Sequence, residues 1–233
     1  MPQRPRLLRH ARRPGPGAAT HGLLVLAAGG ANAFGFLALG GVFTSVVTAN
    51  AAVLGLSLGG ADPGAARLVA LALLGYGAGA AAGSLAAGGR GRVPALGVRG
   101  GLLLETLALW LVSAAWLYWD GAPDPTRRAM LLFLTAVAMG CQNGSVRATG
   151  SEATTAYLTG TVTSAIAVLV TQGRLARRSV GSVLLFIAGA AAVGAAFRWL
   201  HPAAPLLPAL LVTAALRTAG PAARRAAPDA HRR

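Results

Sequence analysis

The fold turns on Gly140 to Thr163, GCQNGSVRATGSEATTAYLTGTVT, a polar stretch set between two strongly apolar runs. It carries Gln142, Asn143, Arg147, Glu152, Thr154, Thr155, Tyr157, Thr159, Thr161 and Thr163. Polar groups at membrane depth are costly unless they face protein or water. A polar, glycine-broken stretch in such a place is either a loop or a site. We read it as part of a site inside a polytopic membrane protein.

Composition supports that class. The 233 residues are 55% hydrophobic and 12% charged, against about 25% charged in soluble domains. A spanning helix needs ~20 apolar residues, and the chain holds at least six such runs. The net charge of +15 comes from 21 arginines against six acids, with no lysine. The arginines lie at the termini and between apolar runs. That is the positive-inside bias of a membrane protein rather than a nucleic-acid surface. A single cysteine, Cys141, excludes an intrachain disulfide or thiolate cluster. The histidines at 10, 21, 201 and 231 lack metal-ligand spacing. There is no Ser/His/Asp set, no paired carboxylates and no phosphate-cradling loop, so we expect neither an enzyme nor a cofactor or metal. Cys141 reads as a buried structural thiol.

Residues 1–21 carry five arginines and four prolines and read as a disordered basic tail. LLVLAAGGA before Ala31-Asn32-Ala33 also fits a secretory signal, but the apolar run continues through that site. Membrane segments follow at 22–41 and 42–60, then the breaker Asp62-Pro63-Gly64. Segment 68–88 places Gly75, Gly79 and Gly83 on one helix face, where a neighbouring helix packs closely. A basic loop at 88–101 precedes segment 102–119, whose Trp116, Tyr118 and Trp119 form an interfacial belt. After a turn at 120–128 come segments 129–141, 154–170, 180–197 and 203–216. A basic tail, 218–233, reads as disordered.

Sliding the chain against itself by 111 residues aligns Gly29 with Gly140, Asn32 with Asn143, Thr44 with Thr155, Thr48 with Thr159 and Asn50 with Thr161. Polar matches inside apolar runs point to two repeats, 22–120 and 129–217. Each half has an Asn-bearing helix end and a Thr-rich segment broken at T-A-N (48–50) or T-G-T (159–161). Repeats in transporters place sites where helices are broken. Thr155, Thr159 and Thr163 share one helix face by their spacing, as do Thr44 and Thr48. The competing reading bonds each hydroxyl to its own helix backbone.

These same stretches resemble a known family. GGANAFGFLALGGVFTSVVTAN is similar to the first signature of the YoaK-like family, domain of unknown function family 1275, roughly G-x-x-D-A-x-x-F-L-x-L-G then M-T-G-N. AMGCQNGSVRATGSEATTAYLTGTVT resembles the second, A-L-G-x-Q-N-A-x-x-R then T-T-x-x-T-G-T. The first is degraded: Asn32 replaces the usual Asp, and Thr48-Ala49-Asn50 replaces T-G-N. The resemblance implies an all-helical bacterial inner-membrane protein with about six spans, and names no substrate. Asparagine cannot carry a proton. Glu105 and Glu152 are then the remaining acids near the membrane. Glu105, read as near a helix end, snorkels or pairs with Arg99; Glu152 falls in a loop.

The expected fold is an all-α bundle of about six transmembrane helices plus two re-entrant Thr-rich segments. Eight spans are the alternative. Cytoplasmic arginines number 17 in the first topology and 16 in the second, so charge cannot choose between them. Three crossings per half invert the second repeat; four keep it parallel. Both termini are expected in the cytoplasm. The partner is the lipid bilayer, with no nucleic acid. The leading reading is a small-molecule or ion transporter whose site draws on Asn32, Thr48, Asn50, Gln142, Asn143, Arg147, Thr155, Thr159 and Thr161. The alternative is a non-transporting scaffold or accessory subunit.

Overall fold

In a computed structural model, the described residues are 16–88, 96–149 and 158–219. Among them the chain is all helical. Its elements are α1 (Ala18–Ala38), α2 (Val47–Gly59), α3 (Pro63–Gly88), α4 (Val98–Tyr118), α5 (Pro125–Ala148), α6 (Leu158–Gln172), α7 (Arg177–Trp199), a 3-10 turn (His201–Ala203) and α8 (Leu206–Thr218). Five of these, α1, α3, α4, α5 and α7, are long and apolar enough to cross a membrane.

Helix starts are written in the sequence as Asp-Pro pairs. Asp124 caps α5 by accepting from the Arg127 amide at 3.0 Å, with Pro125 in the first turn. Asp62 accepts from the Ala65 amide at 3.0 Å, just ahead of α3. A proline at this position loses nothing, because its missing N–H has no intrahelical partner there anyway.

Close packing fixes the directions. Along α3, Gly75 abuts Phe133, Gly79 abuts Val137 and Gly83 abuts Cys141, so α3 and α5 run parallel. Along α1, Gly22 meets Leu185, Gly29 meets Phe186 and Gly30 meets Val193, so α1 and α7 also run parallel. By contrast α1 and α5 are antiparallel. Leu24 bonds to Gln142 near one end, and Phe34 shares an apolar cluster with Leu131 and Leu132 near the other. α4 runs against α5, with Gly101 on Ser145 and Val112 clustered with Leu132. α8 runs against α4, through Trp110–Thr213 (3.0 Å) and Ser113–Pro205 (3.0 Å).

Two connections therefore return to the face they left. α1 and α3 point in opposite directions, so the link containing α2 starts and ends at one face of the bundle. α5 and α7 are likewise opposed, and the link containing α6 does the same at the other face. Three apolar clusters stack between these faces. Phe34, Trp116 and Leu132 mark the face where α1 ends. Ala28, Leu109 and Met139 lie in the middle. Leu24, Leu102 and Val146 lie where α1 begins.

The elements differ from the sequence reading in three places. T-A-N (48–50) and T-G-T (159–161) do not break their helices: the first lies in the opening turn of α2 and the second within α6. A glycine inside a helix costs only about 1 kcal/mol, so Gly160 alone does not stop one. Gly140 to Ala148 is the continuous, mostly buried last part of α5. α1 already starts at Ala18, within the stretch read as a tail, and Thr20 bonds to Thr218 of α8 at 3.0 Å.

Candidate functional site

Asn32 is the fifteenth residue of α1 and is buried. Its Nδ2 donates to the Ala28 carbonyl at 2.8 Å and to Ser45 Oγ at 2.7 Å. Its Oδ1 accepts from the amides of Thr44 and Ser45, each at 3.0 Å, and from Thr44 Oγ1 at 3.4 Å. A carboxamide offers two donors and two lone pairs, so its ordinary capacity is filled. Asn32 fastens the segment ahead of α2 to the flank of α1. Gly35 lets that segment lie close, since a Cβ there would stand 2.6 Å from Thr44 Cγ2. Asn50, also buried, donates to the Phe43 carbonyl at 2.6 Å. Both asparagines thus hold residues 43–45.

Gln142 and Asn143 lie on α5, nearer the opposite face. Gln142 is fully buried, and its Nε2 donates to the Leu24 carbonyl at 3.1 Å, tying α5 to α1. Asn143 donates back to Met139 of its own helix at 3.0 Å. Arg147 is exposed in the last turn of α5. Thr159 is exposed and Thr161 half-buried on α6. Thr48 is exposed in the first turn of α2. Thr155, with Glu152, Thr154 and Tyr157, lies outside the described residues.

The candidate residues therefore form two groups at opposite faces. Asn32, Thr48 and Asn50 gather where α1 ends, and Gln142, Asn143 and Arg147 lie where α5 ends. Thr159 and Thr161 follow on α6. Thr44 precedes α2 rather than sitting in it, so Thr44 and Thr48 do not share a helix face. Thr163 donates to the Thr159 carbonyl at 2.9 Å, the local bond that competes with a ligand-facing role. Gly75, Gly79 and Gly83 line the α3–α5 crossing, where an added methyl would strike the main chain of Phe133, Val137 and Cys141.

Sequence reasoning misjudged Glu105. It stands eight residues into α4, about 10 Å along the axis at 1.5 Å per residue, and is fully buried. It does not snorkel. Its one ion-pair candidate, Arg99, makes no salt bridge with it; the salt bridge among the described residues is Arg127–Asp124. Neither carboxyl oxygen has a hydrogen-bond partner there. The signal was present in the sequence as a single acid inside a long apolar run. Ser45 and Ser113 were also passed over. Ser113 bridges α4 to the Pro205 carbonyl ahead of α8, and nothing but its apolar setting distinguished it.

A family model described as "Protein of unknown function (DUF1275)" matches residues 21–218. No curated protein and no solved structure matches the chain.

Proposed function

The chain belongs to the DUF1275 family, and we propose that it works as a small-molecule or ion transporter of the bacterial inner membrane, built from two inverted repeats. The observation that carries this reading is the antiparallel pairing of α1 and α5, the helices that the 111-residue offset equates. Other geometry supports it. Gly79 packs on Val137 and Gly189 on Leu26; Leu26 and Val137 are one offset apart, and the two glycines are 110 residues apart, one short of it. Antiparallel counterparts put the two-fold axis in the membrane plane, a common plan for alternating access.

On this plan six segments cross: the five long helices α1, α3, α4, α5 and α7, and the 13-residue α8 together with the 3-10 turn ahead of it, which reach from His201 beside Trp116 to Thr218 beside Thr20. α2 and α6 enter from opposite faces without crossing. Arg99, Arg147, Arg174, Arg177, Arg178 and Arg217 share the face where α1 begins, which the positive-inside bias makes cytoplasmic. Arg67, Arg127, Arg128 and Arg198 then lie outside. The first turn of α2 presents backbone N–H groups to substrate, beside Thr48 on one side, and Thr159 and Thr161 of α6 serve the other. Gln142 and Asn143 complete the inner side, with Arg147 drawing anions. Asn32 and Asn50 hold the frame. No covalent chemistry is part of the reading.

The test is flux of a panel of ions and small polar solutes into vesicles holding the purified chain. Flux lost in Asn143→Ala and Thr159→Ala, with both variants folded, supports the site. Normal flux in both overturns it. A scaffold or accessory subunit is the second reading, favoured by the inward bonding of Asn32, Asn50 and Gln142. It predicts no flux for any solute and loss of assembly in the variants first.

A further inference from the structure

Glu105 sits in the interior of the bundle at a level where, among the described residues, nothing else is acidic. α4 approaches α5 closely just below it, because Gly101 lies directly on Ser145 and on the Cys141 carbonyl. One turn above, Ala108 and Leu109 are sealed against Ala138, Met139, Ala209 and Val212. The carboxyl is shut in from both directions along its own helix, with no exposed surface and no donor on either oxygen.

The titratable neighbours leave it without a counter-charge. From α5 the Cys141 thiol is close enough to interact with it electrostatically. From α3 the nearest is Tyr76, packed against the cluster above. From α8 it is Arg217, which is exposed in the last turn. On α4 itself Arg99 lies six residues earlier, on a different side of the helix. An ionised carboxylate with no partner in an apolar interior is far costlier than the neutral acid. A metal or sodium ion would need several oxygen ligands around it. Among the described residues no group of three or more His, Cys, Asp or Glu side chains is placed to hold a metal ion. A proton needs no such cage.

We propose that Glu105 is a proton-binding site in the membrane interior, its carboxyl carrying an exchangeable proton that is occluded between α4 and α5. Buried hydroxyls mark the way to the arginine-bearing face: Ser145 on α5, then Thr149 at its C-cap, both shielded and four residues apart. The proton site stands whether or not the chain transports. If it does, the proton is the coupling ion, and its exchange accompanies movement of α4 against α5.

The test uses the full chain reconstituted in lipid vesicles. Infrared spectra should show a carbonyl band of a protonated carboxyl at neutral pH. That band should shift when the sample is moved into heavy water and should vanish in Glu105→Gln. A hydrophobic carbodiimide, which adds to protonated carboxylic acids, should give one adduct per chain, mapped to Glu105, with the yield falling as the medium is made alkaline. Absence of the band, a band that survives in Glu105→Gln, or a band unmoved in heavy water overturns the proposal. If Glu105→Gln does not fold, the pH series on the unaltered chain decides: an adduct elsewhere, or none at any pH, overturns it. These readouts do not depend on flux, so a failed transport assay leaves them standing.

Discussion

Asn32 and Ser45 hold each other at two points. The Asn32 amide nitrogen donates to the Ser45 hydroxyl at 2.7 Å, and its oxygen accepts from the Ser45 backbone N–H at 3.0 Å. The pair joins the middle of α1 to a segment without helical bonds of its own. Backbone groups in such a segment need outside partners when buried.

Asn32→Ala leaves the Thr44 and Ser45 amides buried without an acceptor. Each such donor costs about 1–3 kcal/mol, so the variant should lose roughly 2–6 kcal/mol and unfold at a clearly lower temperature in detergent. Asn32→Asp keeps the acceptor and should lose less than the alanine variant. Equal stability of the alanine variant and the unaltered chain would show that the latch is idle.

Glycines of α3 give a matched pair. Gly79→Ala pushes a methyl into the Val137 main chain, while the same change at Gly77 meets open space. Overpacking typically costs 1–3 kcal/mol. Gly79→Ala should lower the thermal midpoint by several degrees, and Gly77→Ala should leave it unchanged or raise it. Similar melting of the two would remove the case for a tight α3–α5 seam.

Labelling tests the six-crossing plan. In a Cys141→Ala background, a cysteine replacing Asp62 should react with an impermeant thiol reagent added to intact cells. One replacing Ser179, beside Arg178, should react only after permeabilisation. Protection of the first site until permeabilisation would make α2 a crossing helix and the repeats parallel.

The cap of α5 is a smaller, local test. Asp124→Ala removes the acceptor for the Arg127 amide and the 3.0 Å ion pair with its side chain. The ion pair is half-exposed and contributes little. The cap itself is worth about 1 kcal/mol, and calorimetry of the variant should show a loss of that size. A loss beyond about 2 kcal/mol would mean that Asp124 holds more than the helix start.

Much of the architecture could be read from residues alone, because long apolar runs and Asp-Pro breakers set where helices begin and end. The inward faces could not. In a soluble helix an apolar stripe marks the core. Helices such as α3 and α7 are apolar all round, so their sequence does not say which side meets lipid. Gly75, Gly79 and Gly83 are exceptions, since their smallness is itself a statement about contact. Threonine rows carried no such statement: Thr163 turned to its own helix, and Thr44 proved to lie before α2. Glu105 was misjudged for a related reason. Its distance from the nearest arginine was counted along the chain, whereas its surroundings come from α5 and α8.

The crossed partnership of the halves bears on how the chain is made. α1 finds α7 through Gly29 and Phe186, which are separated by most of the protein. At 5–20 residues per second, roughly 8–30 s pass between synthesis of the two. During that time α1 waits in the membrane with its small-residue groove uncovered. A chain cut off before α7, or a ribosome stalled there, therefore releases a fragment whose most adhesive surface is bare, and quality-control proteases should clear it faster than the finished bundle.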